Sequence, residues 1–263
     1  MQLEGARVLL TGATGGIGLA IAERLAAHGA SLLLTARGED SLQRAAATLA
    51  ARGATVEVVA ADLGTAAGIE RVALAAERFG ADVLVNNAGT NVFGMLEQLG
   101  SPDVGQILRT NLEGPVQLVH RLLPQLLSRR RAMIVNVGSS FGSIGFAGFA
   151  VYCASKFGLR GFTEALRREL ADGPVRACYV APRAVETSFN PPEVVRMNAD
   201  LGNRADPPEA VAAAVERAII GERRETYLGQ PEGFFARLNG LLPGVVDGAL
   251  RKKLAIIKRH AAA

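Results

Sequence analysis

Tyr152 and Lys156 stand four positions apart, and Lys156 is the only lysine among the first 251 residues of an otherwise arginine-rich chain. On an α-helix, residues four apart share a face, so the phenol and the ammonium are predicted to lie side by side. A nearby positive charge favours the phenolate and lowers the tyrosine pKa from its usual value of about 10. The pair therefore indicates proton-transfer chemistry. The alternative is a surface lysine that lies beside a tyrosine by chance.

A second candidate for chemistry is the glycine-rich segment 11–18 (TGATGGIG), which follows a short apolar run and precedes a helical pattern. Strand, glycines and helix N-terminus, in this order, form the geometry in which backbone N–H groups and the helix dipole receive a pyrophosphate. The alternative is a flexible turn that binds nothing. The context of the segment favours phosphate binding.

The elements that must position these residues follow an alternating pattern. Short β-rich runs alternate with helical patterns of period 3.6 over the first 230 residues or so, which predicts an α/β fold. We expect a Rossmann-type, doubly wound parallel sheet of about seven strands flanked by helices, with a C-terminal helical extension. Predicted strands are 7–11, 31–35, 55–60, 83–86, 132–137, 175–181 and 226–228, and predicted helices are 17–28, 41–52, 66–79, 102–127, 151–170 and 208–220.

Residues 188–207 fit neither pattern. Prolines at 191, 192 and 207 and a mixed polar composition predict a long loop that could cover a site.

Composition limits the other possibilities. A chain of 263 residues with 49% hydrophobic residues predicts one domain over 1–229, with 230–263 as an amphipathic, basic extension and not an independent domain. The net charge is +4, but most arginines alternate with acids, so we expect no nucleic-acid partner. Two cysteines and three scattered histidines predict a reduced cytoplasmic protein without a metal site. The N-terminus does not resemble a secretory signal, and no apolar run approaches the ~18 residues of a membrane span.

The spacing Gly-x-x-x-Gly-x-Gly at Gly12, Gly16 and Gly18, together with Tyr152-x-x-x-Lys156, resembles the short-chain dehydrogenase/reductase family in its standard-length form. Further motifs agree with the family pattern from residue 5 to about 229. They are the sequence NNAG at 86–89, Asp62-Leu63 after the third strand, Ser139 thirteen residues before Tyr152, and Asn111 within the long central helical pattern.

This resemblance implies four catalytic residues. Tyr152 would exchange a proton with the oxygen of a carbonyl or alcohol, and Ser139 would hydrogen-bond the same oxygen. Lys156 would hold the nicotinamide ribose and lower the tyrosine pKa. Asn111 would hold a water through a local break in its helix. Ser140 is the alternative serine, less favoured because adjacent residues of an extended segment point in opposite directions.

The resemblance also implies a nicotinamide cofactor. Because Ala36 replaces the acid that would bond a ribose 2′-hydroxyl and Arg37 could receive a 2′-phosphate, NADP(H) is favoured, with NAD(H) as the alternative. Arg183 replaces a customary glycine, which raises the question of the local chain path or a charge at the substrate entrance. The implied cofactor-binding residues are Gly12, Thr14, Gly16, Ile17, Gly18, Arg37, Asp62, Leu63, Asn87, Ala88, Gly89, Tyr152, Lys156, Pro182, Val185 and Thr187.

Apolar and basic residues at helical spacing in 230–263 fit either an interfacial helix on the inner face of a membrane or a helix packed on the protein itself or on a partner subunit. Either alternative would suit a lipophilic substrate, with candidate pocket walls at Phe93, Met95, Phe141, Phe146 and Phe189. We therefore predict an NADP-dependent oxidoreductase that reduces a lipophilic or acyl-type ketone, as a homodimer or homotetramer. The alternatives are a non-catalytic nucleotide-binding regulatory protein and a membrane-surface module.

Overall fold

The computed structural model describes residues 1–229 and 232–262. Seven strands form one parallel sheet in the order β3-β2-β1-β4-β5-β6-β7. The predicted fold class is confirmed. The strands are β1 (Arg7–Thr11), β2 (Ser31–Ala36), β3 (Val56–Ala60), β4 (Val83–Asn86), β5 (Ala132–Val137), β6 (Val175–Ala181) and β7 (Glu225–Tyr227).

Helices flank both faces of the sheet and continue beyond its last strand. They are α1 (Gly16–Ala27), α2 (Glu39–Ala50), α3 (Ala66–Phe79), α4 (Ser101–Leu108), α5 (Gly114–Leu127), α6 (Ala150–Glu169), α7 (Pro192–Asp200), α8 (Pro208–Gly221), α9 (Glu232–Leu241), α10 (Pro243–Arg251) and α11 (Leu254–Ala261).

Two apolar layers sandwich the sheet. Within β1, Val8 and Leu10 pack into the layer under α1 and α8, whereas Leu9 packs into the layer under α3, α5 and α6. Successive side chains of a strand point to opposite faces, so a strand covered on both sides must be apolar along its whole length. This burial explains the continuous apolar runs in the sequence.

The long helix predicted over 102–127 is interrupted. It ends at Leu108, passes through a π-helical turn at Arg109–Glu113, and resumes as α5. π-Helical turns are rare and often mark functional sites. Asn111, the middle residue of this turn, is fully buried.

The loop predicted over 188–207 contains a helix, so this part of the prediction was wrong. Pro191 precedes α7 and Pro192 is its first residue, where the missing N–H costs no hydrogen bond and the fixed φ suits a helix. Val194 and Met197, one turn apart, are buried and anchor α7 to the body of the protein. The prolines therefore start a helix here and do not exclude one.

The C-terminal extension divides into two parts. The last helix, α11, packs on α7, and its Ile257 is buried in an aromatic cluster with Phe146, Phe149 and Tyr152. The turn between α9 and α10 instead exposes Leu241, Leu242 and Val245 to solvent. Throughout residues 1–229 and 232–262, every helix is too short or too polar to cross a bilayer.

Ile257→Ala is expected to lower the free energy of unfolding by about 2–5 kcal/mol, because the deleted side chain is 1% exposed and would leave a cavity. Ile220→Ala, at a side chain 49% exposed on α8, is the matched control and should change stability by less than about 0.5 kcal/mol. Urea denaturation of both variants checks this. Equal losses would show that α11 does not contribute to the core.

Candidate active site

A cleft of about 520 Å³ opens at the carboxyl ends of the strands, where β1 and β4 lie side by side and the connections leave in opposite directions. Crevices at such switch points are the usual ligand sites of doubly wound sheets. Every cofactor-binding residue predicted from the sequence lines this cleft, as do Ser139, Ser140, Tyr152 and Lys156. Asn111 lies behind the wall of the cleft, where its amide oxygen would be 3.4 Å from a Cβ built on Gly89.

The glycine-rich turn forms one end of the cleft. Gly12 has φ +65°, and a Cβ there would lie 2.7 Å from the Cα of Ala88, so glycine is needed for both conformation and space. A Cβ on Gly18 would collide with the carbonyl oxygen of Gly12, so the close approach of α1 also requires glycine. Asn87 Nδ2 donates to the carbonyls of Thr11 at 3.1 Å and Gly12 at 3.2 Å and holds the turn in place.

The N-terminus of α1 faces this turn. No side chain in the described part of the chain caps the helix, whose N-cap residue is Gly15. Its first backbone N–H groups and the positive end of its dipole are therefore suited to an anionic phosphate. The turn and the start of α1 therefore suit the pyrophosphate of a dinucleotide.

The rim near β2 and β3 carries the remaining nucleotide-binding candidates. Arg37 follows the end of β2 and is exposed on the rim of the cleft. The Asp62 carboxylate accepts from the backbone N–H of Gly64 at 2.9 Å, and Leu63 beside it is buried. These residues bring a guanidinium and a carboxylate to the lining of the same cleft.

Tyr152 and Lys156 lie on one face of α6, as predicted, with the Lys156 ammonium nitrogen 5.7 Å from the centroid of the Tyr152 ring. Burial raises the pKa of Tyr152 above its usual value, and a hydrogen bond from Ser139 opposes this rise. Lys156 Nζ instead donates to the carbonyl of Val137 at 3.1 Å, and burial lowers its pKa to about 8. In the protein alone, desolvation of the phenolate is the largest influence on this pKa, and the lowering of the tyrosine pKa by Lys156 stays a prediction.

Asn111 is oriented by three hydrogen bonds. Its side-chain oxygen accepts from Thr90 N at 2.8 Å, and its side-chain nitrogen donates to Thr90 O at 2.9 Å and to Ser155 Oγ at 3.2 Å. Ser155 Oγ donates in turn to the carbonyl of Tyr152 at 2.7 Å. The π-helical turn is thus tied to the helix that carries Tyr152 and Lys156.

A buried polar chain ties α6 to the centre of the sheet. Asn86 Nδ2 donates to Asn136 Oδ1 at 2.8 Å, and Asn136 Nδ2 donates to Thr163 Oγ1 at 2.7 Å. Since buried polar groups are costly unless paired, this chain favours a single register of β4, β5 and α6. It therefore helps to fix where Tyr152 stands relative to Ser139.

Aromatic side chains line the cleft around Tyr152. The rings of Phe141, Phe149 and Phe189 lie 6.1–6.4 Å from the Tyr152 ring, and all three side chains line the cleft. Phe93 contacts Phe149 from behind, at 5.1 Å between centroids.

Two other predicted walls also lie back from the cleft. Phe146 stacks on Phe141 with 5.0 Å between ring centroids and is not among the residues that line the cleft. Met95 precedes a short 3-10 turn and does not line the cleft either. Phe149 also lines the cleft and was not predicted, although its place three residues before Tyr152 could have indicated it. Further lining residues that were not predicted include Thr90, Asn91, Asn190, Val194, Met197 and Asn198.

Arg183, which raised a question about the chain path, forms a bidentate pair with Asp206. Its Nε and Nη2 donate to the two carboxylate oxygens at 3.0 and 2.7 Å, and both side chains are largely buried. Backbone bonds add to the pair: Asp206 N donates to Ala184 O at 2.9 Å, and Glu186 N donates to Asp206 O at 3.0 Å. The segment after β6 is thus pinned to the residues before α8, and Thr187 packs over Gly16.

Comparisons with known proteins agree with this geometry. The family model described as short chain dehydrogenase matches residues 6–198. An uncharacterized oxidoreductase, YxnA of Bacillus subtilis, is 31% identical over 268 residues, covering 99% of this chain and 75% of its own. The 3-oxoacyl-[acyl-carrier-protein] reductase FabG of Escherichia coli is 37% identical over 191 residues, covering 72% of this chain and 77% of its own.

Solved structures resemble the chain over most of its length. A short-chain dehydrogenase/reductase from Burkholderia phymatum in complex with NAD has a TM-score of 0.83 at 27% identity, covering 91% of this chain and 94% of its own. A short-chain dehydrogenase from Burkholderia cenocepacia in complex with NADP has a TM-score of 0.80 at 28% identity, covering 89% and 100%. From the matched residues, the sheet order and the cleft, we conclude that this chain belongs to the short-chain dehydrogenase family of oxidoreductases, which bind nicotinamide cofactors and act on carbonyl and alcohol groups.

Proposed function

We propose that the protein is an NADP(H)-dependent reductase of lipophilic or acyl-type ketones. The observation that carries this proposal is the meeting of Ser139, Tyr152 and Lys156 between a phosphate-binding cradle and an aromatic wall in one cleft. A regulatory protein without turnover would have no need of this set of polar groups.

Each residue has a role that follows from its position. When bound, the nicotinamide cofactor supplies the hydride. Tyr152, kept as a neutral phenol by its raised pKa, donates a proton to the substrate oxygen, and Ser139 hydrogen-bonds that oxygen. Lys156 would hold the ribose hydroxyls of the cofactor, and Asn111 would connect the lysine to solvent. In the reverse direction Tyr152 would act as the phenolate and take the proton from an alcohol.

The preference for NADP(H) rests on the rim of the cleft beside β2. Arg37 is exposed at the position where a ribose 2′-substituent is received in this type of fold, and Ala36 offers no carboxylate to a free 2′-hydroxyl. The similar solved structures include both an NAD and an NADP complex, so the choice depends on these two residues.

The substrate class follows from the aromatic wall. Phe141, Phe149 and Phe189 surround Tyr152 with apolar surface that favours a lipophilic chain next to the carbonyl. The FabG relatives, named as 3-oxoacyl reductases, favour an acyl ketone.

A carbonyl panel tests the proposal. Purified protein is assayed with NADPH and NADH against 3-oxoacyl thioesters, long-chain ketones and short polar ketones. We expect faster NADPH oxidation with the acyl and long-chain compounds. Turnover with NADH alone would overturn the cofactor assignment, and a preference for short polar ketones would overturn the substrate class. The absence of any turnover would overturn the proposed reductase activity.

Cofactor affinity is expected to depend on the protonation of Lys156. Because burial lowers the pKa of Lys156 to about 8, the ammonium is present below that pH and is lost as the pH rises through it. In a fluorescence titration, the Kd for NADPH should therefore increase as the pH is raised from 7.5 to about 9.5. Lys156→Met, which never carries the charge, should bind weakly with no such dependence. A wild-type affinity that is constant over this range would contradict the role of Lys156.

The exposed turn between α9 and α10 favours a second role, peripheral contact with an anionic membrane. We define the apolar tip as Leu241, Leu242 and Val245, which are 80%, 54% and 58% exposed. Arg251 and Lys252, at the end of α10, are also exposed and would meet anionic headgroups. Apolar insertion flanked by basic residues is the pattern of proteins that lie on a membrane surface.

Vesicle co-sedimentation tests this contact with a variant that carries serine at all three positions of the apolar tip. Vesicles of phosphatidylcholine with phosphatidylserine should bind the wild-type protein about tenfold or more better than this variant. Leu96→Ser, at a side chain 58% exposed elsewhere, is the control. Equal binding of wild type and variant would contradict membrane contact. A smaller particle for the variant in light scattering would instead assign the tip to the interface of the proposed homodimer or homotetramer.

A further inference from the structure

We infer that Tyr179 is a positioning residue that holds Ser139 and the helix of Lys156 in one arrangement. This inference rests on the proposed reductase activity, because it concerns the alignment of the groups that would act on the substrate. Tyr179 belongs to β6, and its side chain is fully buried beneath the cleft.

The hydroxyl of Tyr179 contacts the backbone of both catalytic segments. The N–H of Ser139 donates to it at 3.2 Å, and the hydroxyl lies within donating distance of two carbonyl oxygens, those of Ser139 at 3.2 Å and Lys156 at 3.5 Å. One phenol oxygen thus bridges the segment after β5 and the backbone of α6. Burial raises the pKa of Tyr179, so the bridge keeps its proton over the working pH range.

The residues on either side of Ser139 hydrogen-bond to β6 and to the residue that follows it. The N–H of Gly138 donates to Val180 O at 2.7 Å, and that of Ser140 donates to Pro182 O at 2.8 Å. The N–H of Ser139 points away from these bonds, to the Tyr179 hydroxyl. Tyr179 therefore satisfies the backbone of the residue whose side chain meets Tyr152.

Two glycines make room for this ring. A Cβ built on Gly138 would overlap the Tyr179 ring and its hydroxyl, and a Cβ built on Gly142 would overlap the hydroxyl. The two glycines and the tyrosine thus form a matched set that brings the hydroxyl close to the main chain. Removing the hydroxyl would leave the buried N–H of Ser139 without its hydrogen-bond partner. Because an unpaired buried polar group is costly, we expect the segment 138–142 to loosen.

Tyr179→Phe keeps the ring in place and removes the bridge. We expect kcat for the best ketone of the panel to fall by about 10-fold to 100-fold, as for a small misplacement of a catalytic group, with the Kd for NADPH unchanged. Tyr227→Phe is the matched control, because it removes another hydroxyl, bonded to Ser143 Oγ at 2.7 Å, from the neighbouring strand. The control should leave kcat unchanged, and thermal unfolding of both variants verifies that each is folded.

Amide hydrogen exchange, read by mass spectrometry over residues 137–142 of the protein alone, supplies a measure that does not need turnover. We expect faster exchange in Tyr179→Phe than in wild type or Tyr227→Phe. Exchange equal to that of the control, or an unchanged kcat, would overturn the positioning role. Absence of turnover in the wild-type protein would overturn the proposed function instead, and the exchange experiment would still decide whether Tyr179 holds Ser139.

Discussion

Tyr152→Phe is expected to lower kcat for ketone reduction by about 10²–10⁴-fold, the range typical of a lost general acid. Phenylalanine keeps the ring within the aromatic cluster of Phe141, Phe149 and Phe189 and removes the proton that the substrate oxygen needs. The Kd for NADPH should change little, because the hydroxyl is not needed to hold the phosphates. Steady-state kinetics with NADPH, together with a fluorescence titration of the cofactor, measure both quantities.

Ser139→Ala is the comparison for this result. It removes a hydrogen bond to the same oxygen but leaves the proton donor, so its loss of kcat should be smaller than that of Tyr152→Phe. Turnover of Tyr152→Phe at the wild-type rate would show that another group supplies the proton.

Arg37→Glu is expected to weaken NADPH binding by about 100-fold or more, because it replaces a favourable charge pair with two like charges. NADH lacks the 2′-phosphate, so its Kd should change far less. Arg37 is exposed on the rim of the cleft, and the substitution should leave the fold unchanged. Titration of the same protein preparation with each cofactor gives the ratio of the two dissociation constants.

Arg37→Lys is the matched control, since it keeps a positive charge but loses the planar fork that grips a phosphate. Its loss of NADPH affinity should lie between those of wild type and Arg37→Glu. Equal weakening of NADPH and NADH by Arg37→Glu would instead assign Arg37 to general attraction of anions.

The alternation of strand and helix patterns was enough to predict a parallel sheet and most of the elements in chain order, because each element has its own local periodicity. It failed at residues 192–200, where a short helix is stabilised by burying Val194 and Met197 on a surface that no local pattern describes. The periodicity also gave no sign of where the long helix is interrupted. The π-helical turn at Arg109–Glu113 is held by hydrogen bonds from Asn111 to Thr90 and Ser155, which are distant in the sequence.

The tail shows the same division between local and distant causes. Its amphipathic pattern indicated helices, and helices are present. The pattern did not distinguish a helix on a membrane from a helix on the protein, because both bury one apolar face. The structure assigns α11 to the body through Ile257 and leaves the apolar tip exposed.

By itself, the sequence determined the class of fold and the residue types of the cleft, because Tyr152 and Lys156 are joined by one helical turn and the glycines by one strand-to-helix connection. The tertiary structure alone decided the direction of the pKa shifts of these groups, since burial by distant segments raises the pKa of Tyr152 and lowers that of Lys156. It also decided the partners that no spacing reveals, such as Tyr179 beneath Ser139. Desolvation and hydrogen bonding across the sheet depend on residues far apart in the chain, and these are brought together only by folding.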